Sequence, residues 1–497
     1  MKARLIRFVF GLHRWMGVTL GLLMLMWCLS GFVMIFVPYP ATSGDGKDLR
    51  RDGLAAIALP KQINLPALDA IPEGAVVTSA RVEMLAKDPV LRLRWSDKFR
   101  DSSAFYLASG APVGKIDAAR ALAIAATYAE RNGIRNLPSI KKRSDRDEFT
   151  AYGGFNADRP LWQVRLNDPA KTMLYISSSS GEVKQITTSS QRFWSWLGAI
   201  PHWLYFTELR KDGKLWTRVI IWTSLAGSFL TVIGLFVGIR QLRRRHSTGK
   251  FASPYRGVKS WHHLLGLVFG VLVLSWVFSG FTSMQPWGWL DTGEEVGEAA
   301  SHYFEGDKPW PETRASLLAQ FAGLDANTVA ISSSASDGNL YFIHTAVGGA
   351  RQRFGADGQP APFQSADWSH AAATLASGKG EAQVELLQRE DDYFYRGASS
   401  GQLPVVRVIV PAMQQTRFYL DAVSGQILAV ADPGARGFRW WHMAPHRLDF
   451  AWLRNGWLRQ TLEILLLAGV SAVCGIGAWM GIRKLMRGGK LDGLPKS

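Results

Sequence analysis

The chain has 497 residues, 47% of them hydrophobic, and includes 20 tryptophans and 25 phenylalanines. This composition is typical of a membrane protein with water-soluble parts and argues against a chain of ordinary soluble domains. The formal net charge of +17 comes largely from basic residues that flank apolar runs, where the positive-inside rule places them, so no binding to nucleic acid is expected.

Four apolar runs lie at about 8–37, 217–239, 261–284 and 461–482. Each has close to the ~20 residues that a helix needs to cross a ~30 Å hydrocarbon core, which predicts four transmembrane helices in a lipid bilayer. The first run is too long for the apolar part of a cleaved signal peptide. Basic residues precede the first run, separate the second from the third and follow the fourth, so we expect these three segments, and both termini, to be cytoplasmic. These residues are Lys2, Arg4, Arg7, Arg240, Arg243, Arg244, Arg245, Lys250, Arg256, Lys259, Arg483, Lys484, Arg487, Lys490 and Lys496.

Two long segments, each of about 175 residues, separate the first run from the second and the third from the fourth. Both combine Gly and Pro turns with alternating strand patterns, and the first contains an amphipathic helical pattern, which predicts α+β domains. The predicted helix lies at 115–131, and the predicted strands lie at 161–166, 172–177, 182–186, 405–410, 417–421 and 425–430. The predicted fold class is an α-helical membrane protein with four transmembrane helices and two α+β periplasmic domains.

The sequence also matches itself. Residues 11–32 match residues 260–281 at an offset of 249, and later matches follow in the same order at offsets of 244 and 243. Ordered matches of this kind indicate a tandem duplication of a unit of roughly 245 residues. The aligned pairs include His13 and His262, Gly17 and Gly266, Gly21 and Gly270, Trp27 and Trp276, Ser30 and Ser279, His202 and His446, and Gly238 and Gly481.

Four of the ten histidines occupy aligned positions near the ends of the predicted spans. His13 and His262 begin helices that run outward, whereas His202 and His446 precede helices that run inward. A twofold axis along the membrane normal would bring each aligned pair together, one histidine from each half. Haem needs only two axial ligands from the protein, and histidine is a common one, whereas zinc needs three or four protein ligands. We therefore predict two b-type haems, one held by each pair.

Two further histidines are weaker candidates for the same role. His263 is an alternative to His262, but the residue aligned with it is Arg14, and His442 is an alternative to His446, but it aligns with Gly198. The other histidines are interpreted as structural or exposed to solvent; they are His246, His302, His344 and His370.

Arginines and glycines near the aligned histidines could complete the haem sites. Arg14, Arg218 and Arg459 are candidate partners for haem propionates, although an arginine at a membrane boundary often only anchors its helix. Glycines one and two turns beyond His13 and His262 leave room for a flat macrocycle, although Gly-x-x-x-Gly is also a common helix-packing pattern. These glycines are Gly17, Gly21, Gly266 and Gly270.

The only two cysteines, Cys28 and Cys474, lie inside apolar runs. Cys28 comes late in an outward run and Cys474 in the later half of an inward one, so we expect them at different depths and predict no disulfide. Two cysteines are too few for a cysteine-ligated zinc or iron–sulfur site. The chain contains no C-x-x-C-H sequence, which excludes the usual covalent attachment of a c-type haem.

A turn of the form Y-(I/L)-(S/D)-x-x-(S/T)-G-x-(V/I) occurs at 175–183 and again at 419–427. A hairpin that ends in this turn resembles the PepSY domain. With the LHRW stretch at 12–15 and the PHxLxF stretches that begin at Pro201 and Pro445, the whole chain resembles the PepSY-associated transmembrane family. Within that family it is most similar to di-haem ferric-siderophore reductases of the FoxB type.

The resemblance implies a protein of the bacterial inner membrane that carries electrons from the cytoplasmic side to a ferric siderophore or another periplasmic acceptor. It predicts transmembrane helix 1 in 1–38, PepSY-like domain 1 in 39–191, an interfacial segment with helix 2 in 192–240 and a basic cytoplasmic loop in 241–260. Helix 3 is then expected in 261–285, PepSY-like domain 2 in 286–438, an interfacial segment with helix 4 in 439–483 and a cytoplasmic tail in 484–497.

The sequence leaves the electron donor and one rival function open. No G-x-G-x-x-G follows a predicted strand, so the donor is expected to be a separate cytoplasmic reductase or a quinol.

The alternative function is that of a membrane-anchored PepSY protein that binds a peptide or protease, or regulates one, without redox activity. That alternative gives the aligned histidines no role. A transporter would have polar groups at the membrane midplane, where these spans are apolar.

Overall fold

A computed structural model describes residues 2–41, 43–44, 47–48, 54–64, 76–95, 102–244, 251–395, 402–454 and 456–486. The basic residues Arg245, Lys250, Arg487, Lys490 and Lys496, the histidine His246 and most of the predicted tail lie outside this described part. The helices are α1 (Lys2–Phe36), α2 (Ala118–Arg131), α3 (Ser189–Leu197), α4 (Ala199–His202), α5 (Thr207–Arg210), α6 (Gly213–Gln241), α7 (Val258–Thr282), α8 (Glu294–Tyr303), α9 (Trp310–Ala319), α10 (Ser365–Ala376), α11 (Pro433–Phe438), α12 (Ala444–Arg447) and α13 (Trp457–Met486).

The strands are mostly short. They are β1 (Ser43–Gly44), β2 (Lys47–Asp48), β3 (Val76–Leu85), β4 (Asp88–Trp95), β5 (Ser102–Tyr106), β6 (Ser139–Ser144), β7 (Leu161–Arg165), β8 (Met173–Ser177), β9 (Val183–Thr187), β10 (Arg243–Arg244), β11 (Phe251–Ala252), β12 (Lys308–Pro309), β13 (Thr328–Ser336), β14 (Asn339–Ala346), β15 (Arg351–Gly355), β16 (Gln383–Leu387), β17 (Val405–Val410), β18 (Thr416–Asp421) and β19 (Ile427–Ala431). The chain divides into two compact units, which we call unit 1 (1–39, 191–289 and 437–497) and unit 2 (40–190 and 290–436).

Unit 1 contains the four helices that are long and apolar enough to cross a membrane, α1, α6, α7 and α13. The four predicted apolar helices are confirmed, but each begins before its apolar run, and α6 and α13 also end after it. In α6, the side chain of Asp212 accepts a hydrogen bond from the amide of Leu215. This cap satisfies an amide that the first turn leaves unpaired, so the helix begins before the apolar run does.

The four long helices form a bundle in which α1 packs against α13 and α6, and α7 packs against α6 and α13. Its buried centre consists of Met24, Cys28, Leu230, Val273, Leu467, Val470 and Cys474. Glycine lets the helices approach closely: a Cβ on Gly21 would lie 3.3 Å from the Cα of Ala478, and one on Gly270 would lie 2.6 Å from the side chain of Leu235. Small residues serve this purpose where helices pack within a membrane.

The expectation that the two cysteines lie at different depths is wrong. The Sγ atoms of Cys28 and Cys474 are 3.8 Å apart, and both residues are buried free thiols. The depth of a residue depends on the register between antiparallel helices, and an apolar run alone does not give that register. Contacts such as the one between Gly21 and Ala478 set it.

Unit 2 contains two four-stranded antiparallel sheets, one in the order β6-β7-β8-β9 and the other in the order β16-β17-β18-β19. Residues of α2 pack with the first sheet in one hydrophobic cluster, and residues of α10 pack with the second in another. The amphipathic helix and the six strands predicted from sequence are confirmed, with ends shifted by no more than three residues.

A third sheet joins the two halves of unit 2. Its strands follow the order β15-β14-β13-β3-β4-β5, and β12 also pairs with β3. The antiparallel pairing of β3 with β13 places Val82 opposite Ile331. The segments 39–191 and 286–438, which the sequence divides into two domains, therefore share a sheet. Strands so distant in sequence leave no local pattern that would predict their pairing.

Candidate functional site

Two aligned histidine pairs lie inside unit 1. The first, which we call pair 1, consists of His13 on α1 and His262 on α7, whose ring centres are 6.4 Å apart with planes inclined by 33°. The second, pair 2, consists of His202 on α4 and His446 on α12, whose ring centres are 6.0 Å apart. Two metal–nitrogen bonds of about 2 Å, plus about 1 Å from each nitrogen to its ring centre, give about 6 Å between rings that share one metal. Both pairs have this separation.

Short helical turns carry the histidines of pair 2. His202 ends α4, a single turn that precedes α6, and His446 lies in α12, a single turn that precedes α13. Burial lowers the pKa of His202 to about 4, and burial also holds the pKa of His446 well below its ordinary value. Both imidazoles are therefore neutral at physiological pH, which is the form that binds metals.

The hydrogen bonds around His202 determine which of its nitrogens carries the proton. The hydroxyl of Ser30 donates to the carbonyl of Trp27 at 3.0 Å, so its single proton is already used. Nδ1 of His202 lies 3.1 Å from that hydroxyl oxygen and 3.2 Å from the Trp27 carbonyl. Both neighbours can only accept, so Nδ1 is the donor and the lone pair is on Nε2.

The same arrangement surrounds His446. The hydroxyl of Ser279 donates to the carbonyl of Trp276 at 2.9 Å and lies 2.9 Å from Nδ1 of His446. His446 also interacts with the Trp276 carbonyl. Ser279 and Trp276 are the residues that the sequence aligns with Ser30 and Trp27. Metal-binding histidines commonly donate their second ring N–H to a carbonyl in this way.

Pair 1 has weaker hydrogen bonds. Nδ1 of His13 lies 3.4 Å from the carbonyl of Leu230. His262 lies near the carbonyl of Val473, but the contact falls outside ordinary hydrogen-bond limits, so Nδ1 is buried without a hydrogen bond to the described part of the chain. Leu230 and Val473 are related by the offset of 243 that also relates Gly238 to Gly481.

A cavity of about 1140 Å³ surrounds pair 1. Eight glycines line it, namely Gly17, Gly21, Gly234, Gly238, Gly266, Gly270, Gly477 and Gly481. A Cβ on Gly17 or Gly266 would meet no described residue within 4 Å beyond its own helix turn, whereas one on Gly234 would lie 2.7 Å from Cε1 of His13 and one on Gly477 would lie 3.1 Å from Cε1 of His262. The first two leave space open, and the last two let the histidine rings pack against a helix.

The predicted arginines fall in different surroundings. Arg14 lines the cavity of pair 1. Four cations predicted from the sequence only to flank the membrane line it too, namely Arg256, Lys259, Arg483 and Lys484. Arg218 points its Nε at the carbonyl of Lys214 at 3.4 Å. Arg459 faces Glu463 one turn along α13, with 3.5 Å between the charged groups. The structure thus brings Arg14, but neither of the other two, to the described cavity.

The alternative ligands are also located. His263 uses both ring nitrogens, at 2.8 Å from the carbonyl of Gly238 and 2.9 Å from the hydroxyl of Ser253. His442 points Nδ1 at the carbonyl of Ser279 at 2.8 Å, and its ring centre is 5.1 Å from that of His446. His442 therefore packs beside pair 2. His263 also lines the cavity of pair 1, but both of its ring nitrogens are already hydrogen-bonded.

The remaining described histidines lie in unit 2 and have other partners. His302 pairs with Glu305, His370 contacts Asp337, and His344 is buried against Phe354 with ring centres 4.1 Å apart. Across the described ranges, no group of three or more His, Cys, Asp or Glu side chains is arranged to hold a metal ion.

Sequence reasoning missed two kinds of residue at these sites. Gly234 and Gly477, which pack against the rings of pair 1, match at the offset of 243 already seen for the Gly-Ile-Arg segments, so the signal was present. Ser30 and Ser279 were aligned but had no assigned role. Their contact with histidines far along the chain is visible only in three dimensions.

The sequence matches the family described as PepSY-associated TM region over residues 10–374, well over half of the chain. The chain belongs to this family. The resemblance inferred from the sequence motifs is therefore confirmed at the level of the family, and the closer similarity to the FoxB type stays a prediction. The matched region of this PepSY-associated TM protein contains His13, His202 and His262 and ends before His446. A comparison with curated proteins found no match.

Proposed function

We propose that this PepSY-associated TM protein binds two b-type haems and carries electrons across the bacterial inner membrane. The donor would be a separate cytoplasmic reductase or a quinol, and the acceptor a ferric siderophore or another periplasmic oxidant. The strongest support is the spacing of the two aligned histidine pairs, 6.4 Å and 6.0 Å between ring centres. Haem, when bound, supplies a reversible one-electron carrier.

The residues present fit this cofactor. The cavity at pair 1 is at least as large as the ~300–1,000 Å³ typical of cofactor pockets, and open space lies beside Gly17 and Gly266. At pair 2, the hydrogen bonds of Nδ1 leave the Nε2 lone pairs of His202 and His446 for a metal. His13, His262, His202 and His446 would be the axial ligands. Arg14 would neutralise a propionate at pair 1.

The separation of the two pairs suits transfer across a membrane. Ser30, which contacts His202, follows His13 by 17 residues along α1, and Ser279, which contacts His446, follows His262 by 17 residues along α7. At 1.5 Å per residue, each interval is about 25 Å along the helix. A hydrocarbon core is ~30 Å thick, so the two pairs would lie near opposite faces of the membrane.

The proposal also includes the orientation of the chain in the membrane and the origin of its two halves by duplication. The cations that line the cavity of pair 1 would face the cytoplasm under the positive-inside rule, which would place unit 2 in the periplasm. A tandem duplication would account for the aligned residues that make equivalent contacts, such as Ser30 with His202 and Ser279 with His446.

Haem content and ligand substitution test the proposal. The purified full-length protein should contain two b-type haems per chain in a pyridine haemochrome assay. Replacing any one histidine of pair 1 or pair 2 by Ala should remove one haem, or make it high-spin, and spare the other. His263→Ala and His442→Ala are matched controls that should retain both haems.

The consequences should differ between the pairs. A loss at pair 2 should leave the other haem reducible by the cytoplasmic donor but no longer reoxidised by an external ferric chelate, and a loss at pair 1 should block reduction by the donor but not by dithionite. If His13→Ala and His202→Ala abolish the same haem, the proposed pairing is wrong. A protein without haem would favour the alternative of a binding or regulatory PepSY protein.

A further inference from the structure

We infer that Ser30 and Ser279 are positioning residues that fix the ring orientation of the pair 2 histidines and strengthen them as donors to a metal. The inference rests on the proposed function and adds two residues that the ligand assignment does not use. Both serines lie in the Ser-Gly-Phe segments that the sequence aligns. Both side chains are buried, with relative exposures of 2% and 1%.

Each serine accepts the histidine N–H together with a backbone carbonyl. Ser30 and the Trp27 carbonyl share the Nδ1 proton of His202 at 3.1 and 3.2 Å. Two acceptors on one N–H hold the ring in a single orientation, and the serine hydroxyl is itself held by its bond to the same carbonyl. At His446, Nδ1 lies 2.9 Å from the hydroxyl of Ser279, which donates to the carbonyl of Trp276, and His446 also interacts with that carbonyl.

A histidine that donates a hydrogen bond from one nitrogen becomes more basic at the other, so it favours the more highly charged oxidation state of a bound metal. The two serines would therefore lower the reduction potential of a haem at pair 2. In contrast, the hydrogen-bond partner of His13 at pair 1 is a carbonyl at 3.4 Å, and His262 Nδ1 forms no hydrogen bond with any residue that the structure describes. The effect of the serines should be confined to pair 2.

A purely structural role for the serines makes a different prediction. Serine in a helix often bonds back to a carbonyl of the preceding turn, and removing that bond does not change the chemistry of a distant ring. Ser228 on α6 is a matched example, since it is buried and donates to the carbonyl of Ser224 at 2.9 Å. Ser228→Ala therefore reproduces the loss of a buried hydroxyl without the loss of a histidine contact.

The test is a redox titration of the full-length, haem-loaded protein, followed by absorbance. Ser30→Ala, Ser279→Ala and the double variant should shift the pair 2 haem to higher potential and leave the pair 1 haem unchanged. If the relative affinity for the ferric form falls about tenfold in the double variant, in line with other losses of hydrogen bonding to metal ligands, the shift is about 59 mV. Ser30→Thr keeps the hydroxyl and should restore the original potential, and Ser228→Ala should change neither haem.

The outcomes separate the inference from the proposed function. If the wild-type protein has no haem at pair 2, the proposed function fails. If both haems are present and the double variant keeps its original potentials, or if Ser228→Ala shifts them equally, the inference fails and the proposed function stands. If the Ala variants lose the pair 2 haem, Ser30→Thr must retain it at the original potential, and loss in the Thr variant as well would count against a positioning role.

Discussion

Replacing Gly234 by Ala should displace the ring of His13, a proposed ligand at pair 1, although the histidine itself is not substituted. Gly234 lies on α6 beside the ring of His13, and a Cβ there would lie 2.7 Å from Cε1 and 3.2 Å from Nδ1 of that ring. The His13 ring must move, because the added methyl group is fixed to the backbone of a packed helix.

The size of the displacement follows from these distances. Carbon atoms in contact normally lie about 3.5–4.0 Å apart, so the His13 ring must move by about 1 Å. A metal–nitrogen bond is about 2 Å long, and a shift of half its length abolishes ligation. Overpacking of this kind also costs about 1–3 kcal/mol of stability. Gly477→Ala should have a smaller effect, because its Cβ would lie 3.1 Å from Cε1 of His262.

Haem content and spin state measure the effect. In the Gly234→Ala variant, the pair 1 haem should be lost or become high-spin, while the pair 2 haem remains low-spin. Gly227→Ala is the control, since it lies two turns along the same helix, is not among the residues that line the cavity of pair 1, and its Cβ would meet a methyl group of Val277 at 3.0 Å. If Gly234→Ala retains two low-spin haems with the spectrum of the original protein, the assignment of His13 as a ligand packed on α6 is refuted.

Two further predictions concern stability and thiol chemistry. Burial lowers the pKa of His344 in unit 2 from its ordinary 6.5 to about 4, so the unfolded chain binds a proton that the folded unit does not, and stability of about 3 kcal/mol should be lost as the pH falls from 6.5 to 4. Hydrogen exchange of β13, β14 and β15 in the full-length protein, corrected for the pH dependence of intrinsic amide exchange, should show this loss, and the loss should be smaller in His344→Gln by the contribution of His344. Because the Sγ atoms of Cys28 and Cys474 are 3.8 Å apart, the membrane-permeant oxidant diamide should convert the two thiols to a disulfide, itself being reduced to the hydrazine. Mass spectrometry of alkylated peptides should detect the link, and two fully alkylated thiols after oxidation would contradict the helix register.

The sequence predicts the parts of this fold that depend on local pattern. Four apolar runs predicted the four long helices, and alternating patterns predicted three of the four strands in each of the two four-stranded sheets of unit 2. The pairing of β3 with β13 could not be predicted, because it joins Val82 to Ile331 across half of the chain. The contact between Cys28 and Cys474 was missed for a related reason, since helix register depends on packing between side chains.

At the candidate sites, the sequence predicted the residues and the structure adds their surroundings. The self-match identified His13, His262, His202 and His446 and indicated how they would pair. It did not assign a proton to either ring nitrogen, because the tautomer depends on which groups lie near Nδ1. For His202 those groups belong to α1.

The energetics of pair 2 argue against a role limited to anchoring helices. A histidine that anchors a helix at a membrane boundary keeps part of its ring in water or headgroups, whereas the rings of His202 and His446 are buried and neutral. Burying a polar ring is costly unless its nitrogens are satisfied, and polar groups kept within a membrane bundle usually have a function. In the described residues, the hydrogen bonds of both rings are made by Nδ1. A metal held by His202 and His446 would use the remaining nitrogen of each ring, and no anchoring role requires two such rings with centres 6.0 Å apart.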